Sequence, residues 1–134
     1  KKEAYENLNI EETKYIKIPT NQKNDLESVT NYVKNTTLQS NKLLCIPYCS
    51  FWNFLSNRRN ASYFSFFYKF NKDDQDRVID DLKRNDNSII VVQRSNIIEK
   101  EANYEDKNLN LLKTFIFKKY ELVKTTDNFY VYKK

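Results

Sequence analysis

Apolar residues along this chain follow two periods, and the switches between them mark the elements. Thr13 to Ile18 alternates Tyr15 and Lys17 with Ile16 and Ile18 and stops at Pro19, which predicts a first strand with one face buried. From Asn24 the spacing becomes three and four. Leu26, Val29, Tyr32 and Val33 recur behind an Asn24 cap, with Asp25 and Glu27 in the turn where the helix dipole favours acids, and the helix ends near Thr36 or Thr37. Leu43-Leu44-Cys45-Ile46 has the length and aliphatic character of a buried strand, and Pro47 ends it. An aromatic helical turn around Phe51, Trp52, Phe54 and Leu55 leads into a polar corner, Ser56-Asn57-Arg58-Arg59-Asn60, at that strand's C-terminal end. Ser62 to Tyr68 then reads as aromatic extended chain.

Downstream, Asp73 caps a second helix that carries Val78, Ile79 and Leu82, with Lys83 and Arg84 in its last turn and Asn85 beyond. Ile89-Ile90-Val91-Val92 is the purest buried strand and belongs at the centre of a sheet. Arg94 to Lys107 is a charged loop with a short helical piece. Leu109, Leu112, Phe115 and Ile116 mark a third helix, and Tyr120–Lys124 and Phe129–Tyr132 alternate around Thr126-Asp127-Asn128 as a closing β-hairpin. The unit from Thr13 to Pro47 implies a right-handed parallel crossover. The predicted fold is α/β: a three-layer, Rossmann-like domain, mostly parallel, with Leu43–Ile46 beside Ser88–Gln93, helices on both faces and a C-terminal antiparallel hairpin. No repeat or low-complexity linker interrupts the order, so residues 1–134 read as one soluble domain behind a polar lead-in over 1–12.

Composition changes this picture mainly by exclusion. The chain has no glycine, no histidine and no methionine. Without glycine there is no G-x-G-x-x-G turn and no Walker-type phosphate loop. Without histidine there is no Ser-His or Cys-His pair and no His-based metal site. Asparagine must take the left-handed positions, with Asn85, Asn87 and Asn128 placed at helix ends and turns. A net charge of +5 and a pI near 9.1 invite a nucleic-acid reading. The basic residues are interleaved with acids and form no stripe, so no nucleic-acid partner is predicted.

Cys45 and Cys49 are half of a zinc set and read as small buried hydrophobes, with a disulfide geometrically awkward. Asp73, Asp74, Asp76, Asp80 and Asp81 spread around the solvated side of their helix, and Glu99, Glu101, Glu105 and Asp106 sit in a charged loop, so no metal, cofactor or catalytic residue is assigned. Asn35-Thr36-Thr37 and Asn60-Ala61-Ser62 fit the glycosylation acceptor pattern. No apolar run reaches the ~18 residues of a membrane span, and no secretory signal opens the chain. The first residue is Lys1, so the expectation is a piece of a longer protein.

The corner F-L-S-N-R-R-N-A-S-Y-F from Phe54 to Phe64 resembles the Y-F-L-x-G-R-R-N-P-T-x-Y pattern in the C-terminal soluble domains of multi-spanning bacterial glycosyltransferases. Those enzymes are similar to dolichyl-phosphate-mannose-protein mannosyltransferases. The resemblance continues through V-I-D-D-L-K-R-N and I-I-V-V into the closing Y-E-L-V and F-Y-V-Y-K strands, covering roughly Leu26 to Lys134. Asn57 stands where the pattern has glycine, and Ala61 where it has proline.

What the resemblance implies is a non-catalytic extracytoplasmic domain of a membrane-embedded glycosyltransferase, whose catalytic carboxylates belong to the membrane part. The implied partners are that transmembrane portion and a polyprenyl-phosphate sugar, and the implied location is the outer face of the cell membrane. Candidate ligand-binding residues are Asn57, Arg58, Arg59, Asn60, Tyr63 and Trp52: the guanidinium groups of Arg58 and Arg59 for an anion, Trp52 and Tyr63 for stacking on a sugar. The structural alternative makes the arginines turn or salt-bridge residues and Trp52 core. Two other classes remain open, a stand-alone interaction module of the same fold and, more remotely, a nucleic-acid binder.

Overall fold

A computed structural model describes residues 5–7, 9–11, 17–46, 50–64, 71–94 and 109–134. Within them the chain is a mixed α/β fold built on a four-stranded sheet with four helices. In chain order the elements are β1 (Tyr5–Asn7), β2 (Lys17–Pro19), α1 (Thr20–Thr36), β3 (Leu43–Ile46), α2 (Ser50–Ser56), α3 (Lys72–Arg84), β4 (Ile89–Gln93), α4 (109–119), β5 (Glu121–Thr125) and β6 (Phe129–Lys133). The main sheet has the order β3-β4-β6-β5. β3 and β4 run parallel and in register from Leu43–Ile89 to Ile46–Val92, as predicted for these two strands. The other two pairings, β4–β6 and the β5–β6 hairpin, are antiparallel. The sheet is therefore mixed, and the expected mostly parallel arrangement is met only by one pair.

β2 departs from the prediction. It pairs antiparallel with β1 in a separate two-stranded ribbon, so the crossover from it into β3 does not form. The physical reason lies at the other side of β3. The Leu43 amide donates to the Arg59 carbonyl at 2.8 Å and the Ala61 amide donates to the Leu43 carbonyl at 2.9 Å, a parallel bridge at Asn60. That edge is already taken by the chain that follows α2.

The buried hydrophobic residues make one cluster from Ile10 to Val131, with Leu43, Leu44, Ile89 and Ile90 inaccessible at its centre. Alternate residues of β6 meet different helices. Phe129 stands edge-on to Trp52 of α2 with ring centroids 4.8 Å apart, whereas Tyr132 meets Phe117 of α4 at 5.6 Å. Since successive strand residues point to opposite faces, α2 and α4 lie on opposite sides of the sheet.

Helix ends follow rules the sequence only half revealed. α1 starts at Thr20, four residues before the expected Asn24 cap, so Asp25 serves elsewhere. Its carboxylate accepts from the Thr126 hydroxyl (3.1 Å), the Asn128 amide (2.9 Å) and the Asn128 side chain (2.8 Å), tying α1 to the hairpin turn. α3 is capped by Asn71 rather than Asp73, in a capping box with Asp74, and ends at Asn85 as expected. The first described turn of α4 is capped from a distance: buried Gln75 accepts from the amides of Leu111 (3.0 Å) and Leu112 (3.2 Å). The readings placed on Thr13–Ile16, Pro47, Cys49, Ser65–Phe70 and the 95–108 loop lie outside the described residues. Cys45 is buried.

Candidate functional site

The polar corner is set by the lengths of two elements. β3 carries the chain up four residues, about 13 Å, and α2 brings it back seven residues, about 10 Å. The corner therefore lands beside Leu43, at the N-terminal end of β3, and not at its C-terminal end as the sequence suggested. Asn57 sits at φ 53°, the left-handed conformation that glycine favours and asparagine tolerates. Among the described residues this is where asparagine takes the left-handed role; Asn85 closes α3 at φ −124°. The Asn57 amide donates to the Phe54 carbonyl at 3.3 Å, and Asn53 brackets Arg58 with a backbone bond at 3.2 Å and a side-chain bond at 3.0 Å.

Arg58 faces inward along the corner. Its Nε donates to the Thr37 hydroxyl at 3.1 Å, Nη1 to the carbonyls of Ser56 (3.0 Å) and Asn57 (3.3 Å), and Nη2 to those of Thr37 (3.2 Å) and Lys34 (3.5 Å). These five contacts match the five N–H donors of a guanidinium. They also gather the C-terminal ends of α1 and α2, each carrying a partial charge of roughly −0.5, so one guanidinium balances the pair. Arg58 is a double helix-end clamp.

The clamp forms part of the wall of an open cleft of about 720 Å³ lined by Gln39, Ser40, Lys42, Asn53, Asn57, Arg58 and Arg59. No acid is among these residues. With the donors of Arg58 taken up by the helix ends, Lys42 and the exposed Arg59 are the cations left to face the cleft. Asn53 and Ser40 add neutral hydrogen-bonding groups. The arrangement suits a phosphate or carboxylate held from the rim, and among the described residues that line it no titratable pair is placed for acid–base chemistry.

The other candidates separate from this cleft. Asn60 donates its amide nitrogen to the Phe64 carbonyl at 2.8 Å and accepts from the Ser62 amide at 3.3 Å, shaping the turn. Trp52 is buried against Phe129, the core alternative, and presents no face to the cleft. Tyr63 is 93% exposed and belongs to a second cleft of about 270 Å³, with Phe64 and the α3 residues Arg77, Asp80, Asp81 and Arg84. The structure thus brings Asn57, Arg58 and Arg59 together and sets Tyr63 and Trp52 apart. It adds Gln39, Ser40, Lys42 and Asn53. Lys42 is a lone cation before a strand, and only the return of α2 to that strand's start makes it a neighbour of Arg59.

Among the α3 acids, Asp74 completes the capping box, Asp76 pairs with Lys72 at 2.8 Å, and Asp81 takes the Ser62 hydroxyl at 2.8 Å and pairs with Arg84. Among the described residues, no group of three or more potential metal ligands is found and no helix is long and apolar enough to cross a membrane. Fold and cleft together define a small mixed α/β domain with a polar, cationic cleft beside a covered sheet edge. Comparison with protein-family models, curated proteins and solved structures finds no match.

Proposed function

We propose that this chain is a non-catalytic, extracytoplasmic domain of a membrane-embedded glycosyltransferase, in which the Lys42–Arg59 cleft helps to hold the phosphate of a polyprenyl-phosphate sugar or its acceptor. In this reading the domain caps the active site of its own parent chain at the outer face of the cell membrane, and catalysis belongs to that membrane part. The fold is read in the same frame as a reduced three-layer, Rossmann-like domain with helices on both faces of its sheet. The observation that supports it is the coincidence of the F-L-S-N-R-R-N-A-S-Y-F corner with a cleft that has no acid among its described lining residues and whose rim cations are not used by the helix ends.

A soluble polyprenyl-phosphate sugar analogue titrated into the isotope-labelled chain tests it by two-dimensional NMR. Saturable shifts should centre on the amides of Lys42 and Asn57–Asn60 and vanish in Arg59→Ala and Lys42→Ala. No shifts at millimolar ligand would remove the ligand role and leave the corner as scaffold.

A second reading, a stand-alone interaction module, is favoured by one observation, the 93% exposure of the Tyr63 ring beside Phe64. It predicts that Tyr63→Ala abolishes partner capture while leaving the ligand titration unchanged.

A further inference from the structure

The far side of the sheet is built differently from the corner. Among the described residues β5 is bonded to β6 on one side only, so the backbone N–H and C=O groups on its other side point away from the sheet. Native edge strands are commonly blunted by charge or proline along the exposed row. β5 carries two such charges, Glu121 and Lys124, and between them Leu122 and Val123 are 50% and 37% exposed. Beside them Phe117 is 57% exposed and packs on Tyr132, the cross-strand neighbour of Leu122. Edge and patch are continuous.

The edge is also complementary to itself. In Glu121-Leu122-Val123-Lys124, a second copy running antiparallel places Glu121 opposite the copy's Lys124 and Leu122 opposite its Val123, and a two-fold axis repeats both pairs. Residues three apart in a regular strand point to opposite faces. Here a bulge between Leu122 and Lys124 corrects the phase: Glu121 pairs with Lys133 and Lys124 with Val131, which are two apart on β6 and share a face. The charged side chains of both copies therefore lie on one side of the joined sheet, where Lys124 Nζ also stands 5.6 Å from the Tyr32 ring centroid of α1.

We infer that β5 is a homodimerisation edge, on which a second copy of this chain pairs antiparallel and makes the sheet continuous across the two-fold. The two-fold contact uses the same edge of both copies and so closes at two, while the opposite edge is bridged at Leu43 by the Arg59–Ala61 segment. With five residues of edge and one apolar patch the interface is small, placing the dissociation constant roughly between micromolar and millimolar. The inference is independent of the ligand proposed for the cleft.

Sedimentation equilibrium of the intact chain from roughly 10 μM to 1 mM tests it across that affinity range. The wild type should pass reversibly from monomer to dimer and no further. Glu121→Lys should weaken the dimer roughly tenfold by placing like charges opposite each other twice, Lys124→Glu should do the same, and the double exchange Glu121→Lys/Lys124→Glu should restore it. Glu121 is exposed and Lys124 half-buried over the Tyr32 ring, and an unchanged NMR fingerprint of the monomer confirms that each variant folds. A wild type that stays monomeric, a dimer indifferent to Glu121→Lys, capture of a different protein's strand in place of self-association, or a double exchange that fails to restore would overturn the inference.

Discussion

The two edges of the main sheet solve the same problem in opposite ways. At β3 the chain returns through α2 and covers the edge with its own backbone at Arg59–Ala61, and Arg58 holds that return in place against the ends of two helices. At β5 no described strand pairs with the outer edge, and Leu122 and Val123 are exposed between Glu121 and Lys124. The difference separates two kinds of polar residue that look alike in sequence. Arg58 and Arg59 are neighbours of the same type, yet one is consumed by structure and the other faces the cleft. A ligand reading of an Arg-Arg pair has to be divided residue by residue.

The largest expected effect sharpens this division. Arg58→Ala removes a charged hydrogen-bond donor from two helix ends, orphans several carbonyls and should cost about 2–3 kcal/mol in urea unfolding. Arg58→Lys, which keeps the charge without the planar fork, should recover less than half of that. Gln75→Ala ranks next, at about 1–2 kcal/mol by the same assay, since it leaves the Leu111 and Leu112 amides without their cap inside the fold.

Thr30 gives a smaller effect of opposite sign. Its hydroxyl is buried in α1 with no hydrogen-bond partner, so Thr30→Val should raise stability by about 1 kcal/mol. On the two edges themselves, Arg59→Ala and Leu122→Ala should each change the monomer's stability by no more than about 0.5 kcal/mol while removing cleft binding and dimerisation respectively.

The smallest effect is alkaline. Burial raises the Tyr132 hydroxyl above its ordinary 10.0, and burial together with the nearby Asp86 charge raises that of Tyr120. The folded state thus retains protons that the unfolded chain loses, so stability is intact below about pH 10 and falls as pH rises beyond it. Tyr120→Phe and Tyr132→Phe should flatten that fall in unfolding curves taken above pH 10.

Much of the architecture was legible because its signals are local. The runs at Leu43–Ile46 and Ile89–Val92, the spacing of Leu109, Leu112 and Ile116, and the alternation around Thr126-Asp127-Asn128 each predict an element that forms. What was not legible depends on which element is near which. β2 carries a strand pattern, but a pattern does not name the partner strand, and β3's free side was already occupied. The Asn71 cap and the Asp73 reading compete on nearly equal propensity, and only Asp74's reciprocal bond decides between them. Asn57, Arg58 and Arg59 were singled out as candidates from sequence, whereas their place at the start of β3, the clamp made by Arg58 and the nearness of Lys42 follow from the matched lengths of β3 and α2.

The covered edge is the central claim, and native-state hydrogen exchange measures it directly. The Leu43 and Ala61 amides, which close the bridge to the Arg59–Ala61 segment, should exchange as slowly as the β3–β4 ladder in the wild type and far faster in Arg58→Ala, with outward amides of β5 fast in both monomers. Leu43 and Ala61 amides that exchange in the wild type as freely as those of an exposed loop would contradict the account.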